Sequence, residues 1–173
     1  MTLGLHKHKV DIVEYDTKWH AYFEDEKTII ISHIGEYVKT IQHIGSTAIP
    51  GLPSKPIIDI GILADLQINI TKIKSTLIKN SYIYRGDAGQ DGGILFVKEV
   101  MPLIRTHHLH IIGIGDRQWE NYIRFRDALI NDPTLALAYK ALKLELLSTY
   151  SNDRKMYTKS KAGFINKVLQ DLA

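Results

Sequence analysis

Two apolar runs, VKTIQHI at 38–44 and IIDIGIL at 57–63, flank the segment GSTAIPGLPSKP at 45–56. The second run constrains the fold most. It is far too short to be a spanning helix and is rich in β-branched isoleucine, so it reads as a strand. Apolar side chains alternate onto both of its faces, which calls for cover on both sides, as for a strand inside a layered sheet. Ile58, Ile60 and Ile62 share one face, and Ile57, Asp59, Gly61 and Leu63 share the other.

Asp59 is the anomaly in that run. A buried carboxylate without a partner is costly, so it should sit beside a cation, a metal or a cleft. Gly61, one pleat away, leaves room on the same face. The first strand ends at Gly45-Ser46, where a tight turn would expose backbone N–H groups and a hydroxyl together. Such donors suit a phosphate, and glycine removes the Cβ that would hinder close approach. Gly45, Ser46 and Thr47 are therefore candidate phosphate-binding positions, with Lys55 returning across the loop as a positive charge. Asp59 is the candidate metal ligand. Mg²⁺ or Mn²⁺ is the expected ion, because such a site takes few carboxylates and completes its shell with substrate phosphates and water.

The rest of the chain organises around this pair of strands. Asp16 or Thr17 can cap a helix carrying Trp19, Tyr22, Phe23, Ile29 and Ile30, with Gly35 as its stop. A helix is expected over 68–79, and strands over 82–85, 94–100 and from about 107 to 112. The glycine-rich GDAGQDGG at 86–93 connects the first two of these as a mobile loop. After Gly113 the pattern turns helical. Asp116 can cap a helix to about Ile130, and Asp132-Pro133 a second to about Tyr150. Asp153 can cap a last helix running through Lys161 to Leu172. Strands segregated from a helical block argue for an α+β fold with a mixed sheet. One domain over 1–173 is expected, with its sheet in 1–113 and its helices in 114–173, and roughly 70% of the chain's surface can be buried at this length.

Composition excludes several classes. There is no cysteine among the 173 residues, so disulfides and thiolate metal sites are ruled out. The net charge of +3 suits an anionic small molecule but is too weak to argue for nucleic acid. Neither a run of eighteen apolar residues nor a leader-like N-terminus is present, so a soluble cytoplasmic protein is expected, with no membrane partner.

Further polar groups could join the site. His108 and His110, at i and i+2, share a strand face and could hold phosphate oxygens or a metal, whereas His107 points the other way and His43 suits a structural role. Arg154, Tyr157 and Lys161 fall at i, i+3 and i+7 on the expected last helix. Lys140 and Lys143 lie on the helix before, and Arg124 and Arg126 on the one before that. Cations from these helices could meet phosphates while Tyr157 stacks on a base. Trp119, Tyr122, Phe125 and Phe164 read as core.

Several stretches resemble the GrpB (UPF0157-type) family: VEYDTKWHAYFEDEK at 13–27, HIGSTAIPGLPSKPIID at 43–59, HLH at 108–110, RFRDAL at 124–129, YKALK at 139–143 and DRKMYTKSKAGFI at 153–165. The resemblance implies a nucleotidyltransferase-like mixed sheet flanked by helices, with a C-terminal helical block. It also implies a nucleotide or other phosphorylated small molecule as ligand, and association with dephospho-CoA kinase, to which relatives are fused. In that superfamily a pair of acids on one strand and a third on a neighbour hold two divalent ions. Asp59 matches the first acid and would be catalytic together with Ser46. Gly61 stands where the second acid would be, and His108 and His110 occupy the neighbouring strand. Asp87, Asp91 or Glu99 could supply a carboxylate instead. Three readings follow: a metal-dependent nucleotidyltransferase-like transferase, a catalytically incomplete nucleotide- or CoA-related binding module, and a structural interaction domain.

Overall fold

The structure, a computed structural model, describes residues 3–87 and 93–172. Element order is β1 (Leu5–His6), α1 (Lys18–Ile34), β2 (Val38–Ile44), β3 (Ile58–Ala64), α2 (Leu66–Lys79), β4 (Ile83–Asp87), β5 (Ile94–Met101), β6 (Ile104–Gly113), α3 (Arg117–Asn131), α4 (Pro133–Tyr150), α5 (Arg154–Ser160) and α6 (Ala162–Asp171). The sheet runs β2-β3-β6-β5-β4, with the short β1 paired to β6. Among the described residues only β3 and β6 pair in parallel; the other strand pairings are antiparallel. This is the mixed α+β architecture expected from the pattern.

The two central strands explain the layering. On one face Ile58, Ile60 and Ile62 of β3 join Leu109 and Ile111 of β6 and Phe96 of β5, all fully buried. They pack with Trp19, Phe23, Ile30 and Ile34 of α1 and Ile73 and Leu77 of α2. Burying aliphatic side chains of this size stabilises the fold by roughly 1.5–3 kcal/mol each. Start signals are local. The Asp16 carboxylate accepts from Lys18 N–H at 3.0 Å ahead of α1, and the Asp65, Asp116, Asp132 and Asp153 carboxylates accept from the first turns of α2, α3, α4 and α5.

A second polar network sits on this core side. Glu26 of α1, only 3% exposed, accepts from the Tyr82 hydroxyl and from Lys98, each at 2.6 Å. These partners make a buried carboxylate tolerable.

The opposite face carries Asp59, Gly61, His108 and His110 and is covered by the C-terminal helices. Trp119, Tyr122 and Arg126, at i, i+3 and i+7, line the inner side of α3 against β2, β3 and β6. Tyr139 packs with Ile49, Leu52 and Leu129, with Phe125 and Phe164 beside them. The N-terminal segment straps this side down. Val13 and Ser54 bond each other's backbones, Val10 packs with Leu146 and Tyr157, and Arg154 donates to the Lys7 carbonyl at 2.9 Å.

Three elements differ from the expectation. β6 begins at Ile104, earlier than about 107, because its first residues pair with β1 and with Glu99 and Met101 of β5. β1 itself, two residues long, has no sequence signal. The expected last helix is two: α5 ends at Ser160, Lys161 forms the joint, and α6 begins at Ala162. Gly163, a poor helix former, sits just past the break. The GDAGQDGG connection lies mostly outside the described residues.

Candidate functional site

Strand pairing brings the site together. Asp59 faces Ile44 across β2–β3 and His108 across β3–β6, while Gly61 faces His110. His108 Nδ1 lies 3.0 Å from Asp59 Oδ1, and His110 Nε2 lies 3.5 Å from the same oxygen. Their side chains are partly open, at 29% for Asp59, 14% for His108 and 21% for His110. Burial works against ionisation of Asp59, but the hydrogen bonds from the two imidazoles prevail and hold its carboxyl well below the usual range. Burial is also the chief reason that His108 prefers to be neutral, against the pull of Asp59.

Gly45 fits only as glycine. Its φ of 69° and ψ of −172° belong to a region that side chains avoid. A Cβ there would lie 2.6 Å from Asp59 Oδ2. The turn therefore presses its backbone against the carboxylate and launches a short helical turn at Ser46–Ala48. The Tyr139 hydroxyl reaches the Ser46 side chain, and burial is the main cause that pushes this phenol up to about 12.

The C-terminal helices bring cations to the same place. The Lys55 ammonium lies over the Tyr157 ring, 4.4 Å from its centroid, and Lys161 lies over it at 5.0 Å. Among the described residues neither ammonium is paired with a carboxylate. Burial, then the charges of Lys161 and Arg154, push Lys55 down to about 7, with Asp59 too weak a counterweight. Lys161 is depressed as well, by burial and, against Asp59, by Arg154. Arg154 holds Lys7 O and approaches His108 Nε2 at 3.3 Å through Nη2.

The structure thus brings Asp59, Gly45, Ser46, Lys55, His108, His110, Arg154 and Lys161 to one end of the β3–β6 pair. Others are engaged in the scaffold. Thr47 is buried, its hydroxyl 3.0 Å from His43 Nε2, and His43 stacks on Phe23. Arg126 donates to Gln42 Oε1, to the His43 carbonyl and to Asp127. Lys143, 2% exposed, donates to the Pro53 carbonyl and Ser54 Oγ, and burial pushes it to about 7. Tyr157 is buried beneath two ammonium groups, so its ring is covered rather than open for stacking. Glu99 accepts from Leu103 N–H and pairs with Arg105, away from Asp59. Asp91 and the Asp87 side chain lie outside the described residues. Tyr122 and Tyr139, read as core and as motif, reach His110 and Ser46. Their positions on the inner helix faces were visible in the sequence, but their partners were not.

Spacing alone would admit an ion, because Asp59, His108 and His110 offer ligand atoms within 4.8 Å of one another. Hydrogen-bond polarity argues the other way. His110 could bind through Nε2 while Nδ1 donates to the Tyr122 hydroxyl, 3.3 Å away. His108 has Arg154, a donor only, at its far nitrogen. A Cβ at Gly61 would lie 3.2 Å from Ile44 and 3.3 Å from Trp119, so a second acid there would start out wedged between apolar side chains. The donor set does not fit the two-ion arrangement that the superfamily resemblance implies.

A mixed sheet with a Gly-Ser turn beside an in-strand aspartate, closed by a cationic helical block, is the class of protein this geometry defines. The chain belongs to the GrpB protein family, which matches it over residues 9–171. It is 35% identical over 173 residues to the glutamate-rich protein GrpB of Alkalihalophilus pseudofirmus, covering 98% of this chain and 99% of that one. It is 33% identical to the UPF0157 protein YqkA of Bacillus subtilis, covering 92% of this chain but only 46% of that longer protein. Its fold resembles the crystal structure of the conserved protein GrpB from Enterococcus faecalis with a TM-score of 0.82 and 29% identity, over 93% of this chain and 96% of that one. No helix among the described residues is long and apolar enough to cross a membrane.

Proposed function

We propose that this protein binds the phosphate groups of a nucleotide or related phosphorylated small molecule where Gly45-Ser46 meets the C-terminal helices. The observation that carries the reading is a charge imbalance. Lys55, Lys161 and Arg154 converge on one carboxylate, already engaged by two histidines; burial, then Lys161 and Arg154, lower the proton affinity of Lys55, and burial and Arg154 lower that of Lys161. Such a cluster is costly without an anion and becomes favourable with one. The Ser46 hydroxyl and the opening of the 46–48 turn supply neutral donors beside it. Arg154 offers the fork that suits a phosphate, and the two lysines offer point charges.

Transfer of the bound group is a second reading, favoured by the Asp59–His108 pair: a carboxylate-oriented imidazole is the kind of group that takes a proton from an attacking hydroxyl. The experiment is isothermal titration with ATP and with inorganic pyrophosphate at low salt. Wild type should bind both, and Lys161→Met should weaken both about tenfold, the scale of one charge-assisted contact. Equal affinity in the variant would refute the assignment of the site.

A further inference from the structure

We infer that this site meets its phosphorylated ligand with side-chain cations instead of a divalent metal, and that His108 serves there as a fixed hydrogen-bond acceptor. The inference rests on the phosphate reading above and specifies how that site works.

A guanidinium has five N–H donors and no acceptor. Its approach to His108 Nε2 at 3.3 Å therefore assigns the lone pair to Nε2. The ring proton then sits on Nδ1 and is donated to Asp59 Oδ1 at 3.0 Å. A metal at Nδ1 would need that lone pair and would turn an N–H toward the guanidinium. Metal-bound histidines almost always give their second N–H to an acceptor, which Arg154 cannot be.

The carboxylate has no free oxygen to offer an ion. Oδ1 already serves both His108 and His110, and Oδ2 lies against the Gly45 backbone so closely that even a methyl group could not enter. A dication beside Asp59 would add to the repulsion that Lys55, Lys161 and Arg154 already exert on one another. Side-chain cations occupy the electrostatic role that ions would otherwise fill.

The arrangement also says what a ligand does on arrival. A phosphate that engages Arg154 as a bidentate partner draws the guanidinium from His108. Nε2 is then left with an unpaired acceptor, ready for the hydroxyl of a ligand or of a second substrate. Asp59 keeps the ring in that tautomer throughout.

Two measurements on the full chain test this. Long-range ¹H–¹⁵N spectra of the imidazoles at neutral pH should show His108 as the Nδ1–H tautomer, unchanged by Zn²⁺ or Mg²⁺ at one equivalent. Titration with inorganic pyrophosphate should give the same affinity in EDTA as in Mg²⁺ or Mn²⁺ to within about threefold, well under one decade of binding constant. An Nε2–H tautomer, or metal-induced shifts at His108 and His110, would overturn the inference. Pyrophosphate binding that requires a divalent ion would overturn it too, while leaving the phosphate reading intact. Binding under neither condition would remove the phosphate reading itself, and the inference with it.

Discussion

Ligand binding at this site should take up a proton, and Lys55 sets the amount. Burial and the charges of Lys161 and Arg154 bring its ammonium to about 7 in the unliganded protein. At pH 8 a group with that pKa is only about one-tenth protonated. A phosphate beside it favours the charged form, so its pKa moves back toward the ordinary lysine value and about 0.9 proton is bound per ligand. The ligand itself adds little, because a phosphate with a second pKa of about 6 is already ionised at pH 8. Isothermal titration with ATP in buffers of different ionisation enthalpy reads the proton count from the slope of apparent enthalpy. Uptake should approach one proton at pH 8, shrink by pH 6, and nearly vanish in Lys55→Met. Binding of normal affinity with no buffer dependence at pH 8 would refute the reasoning. The same shift has a stability consequence without ligand. Unfolded Lys55 holds its proton up to about 10.5 while folded Lys55 releases it near 7, so the unfolded state binds more protons in that window. The lysine's contribution to stability therefore rises with pH from about 7 to about 10.

Further predictions concern the scaffold. Gly45→Ala forces a side chain into a glycine-only conformation and against Asp59; it should destabilise by at least about 1–3 kcal/mol in urea unfolding. Glu26→Ala strands the buried Tyr82 hydroxyl and should cost about 2–4 kcal/mol, whereas Glu26→Gln, which still accepts from Tyr82, should cost less. Gly61→Asp should not create a metal site, because its Cβ already crowds Ile44 and Trp119; thermal unfolding should show a loss of about 1–3 kcal/mol, with no stabilisation on adding Mn²⁺. His43 and His107 are held neutral chiefly by burial, each at about 4. Unfolded histidine titrates near 6.5, so the unfolded state binds more protons between those values and stability should fall as pH drops from about 6.5 to about 4. His43→Phe should flatten that slope.

What the sequence made legible was mostly what it encodes locally. β2 coincides with the apolar run 38–44, and the caps at Asp116, Asp132 and Asp153 mark true helix starts, because one carboxylate and the next turn decide each. Asp59, His108 and His110 were recognisable by type and by their faces, since a pleat places alternate residues together. Their mutual contact was not, because it depends on β3 and β6 pairing in parallel across a long connection. The fate of Arg126, Lys143 and Tyr157 was equally hidden. A cation on a helix looks the same in sequence whether it meets a ligand or a carbonyl such as Pro53 O. Lys161 reached the site although the helix expected to carry it breaks at that residue.

The central claim, a cation-rich phosphate site, is tested most directly by thermal unfolding of the wild-type chain at low salt against nucleotides, coenzyme A precursors and inorganic pyrophosphate, beside the Lys55→Met/Lys161→Met double variant. A ligand at a hundred times its dissociation constant stabilises by about 2.7 kcal/mol. The account predicts a saturable shift of that size for at least one phosphorylated compound, lost in the double variant. A folded wild-type protein that no phosphorylated compound stabilises, or a shift equal in the variant, would contradict it.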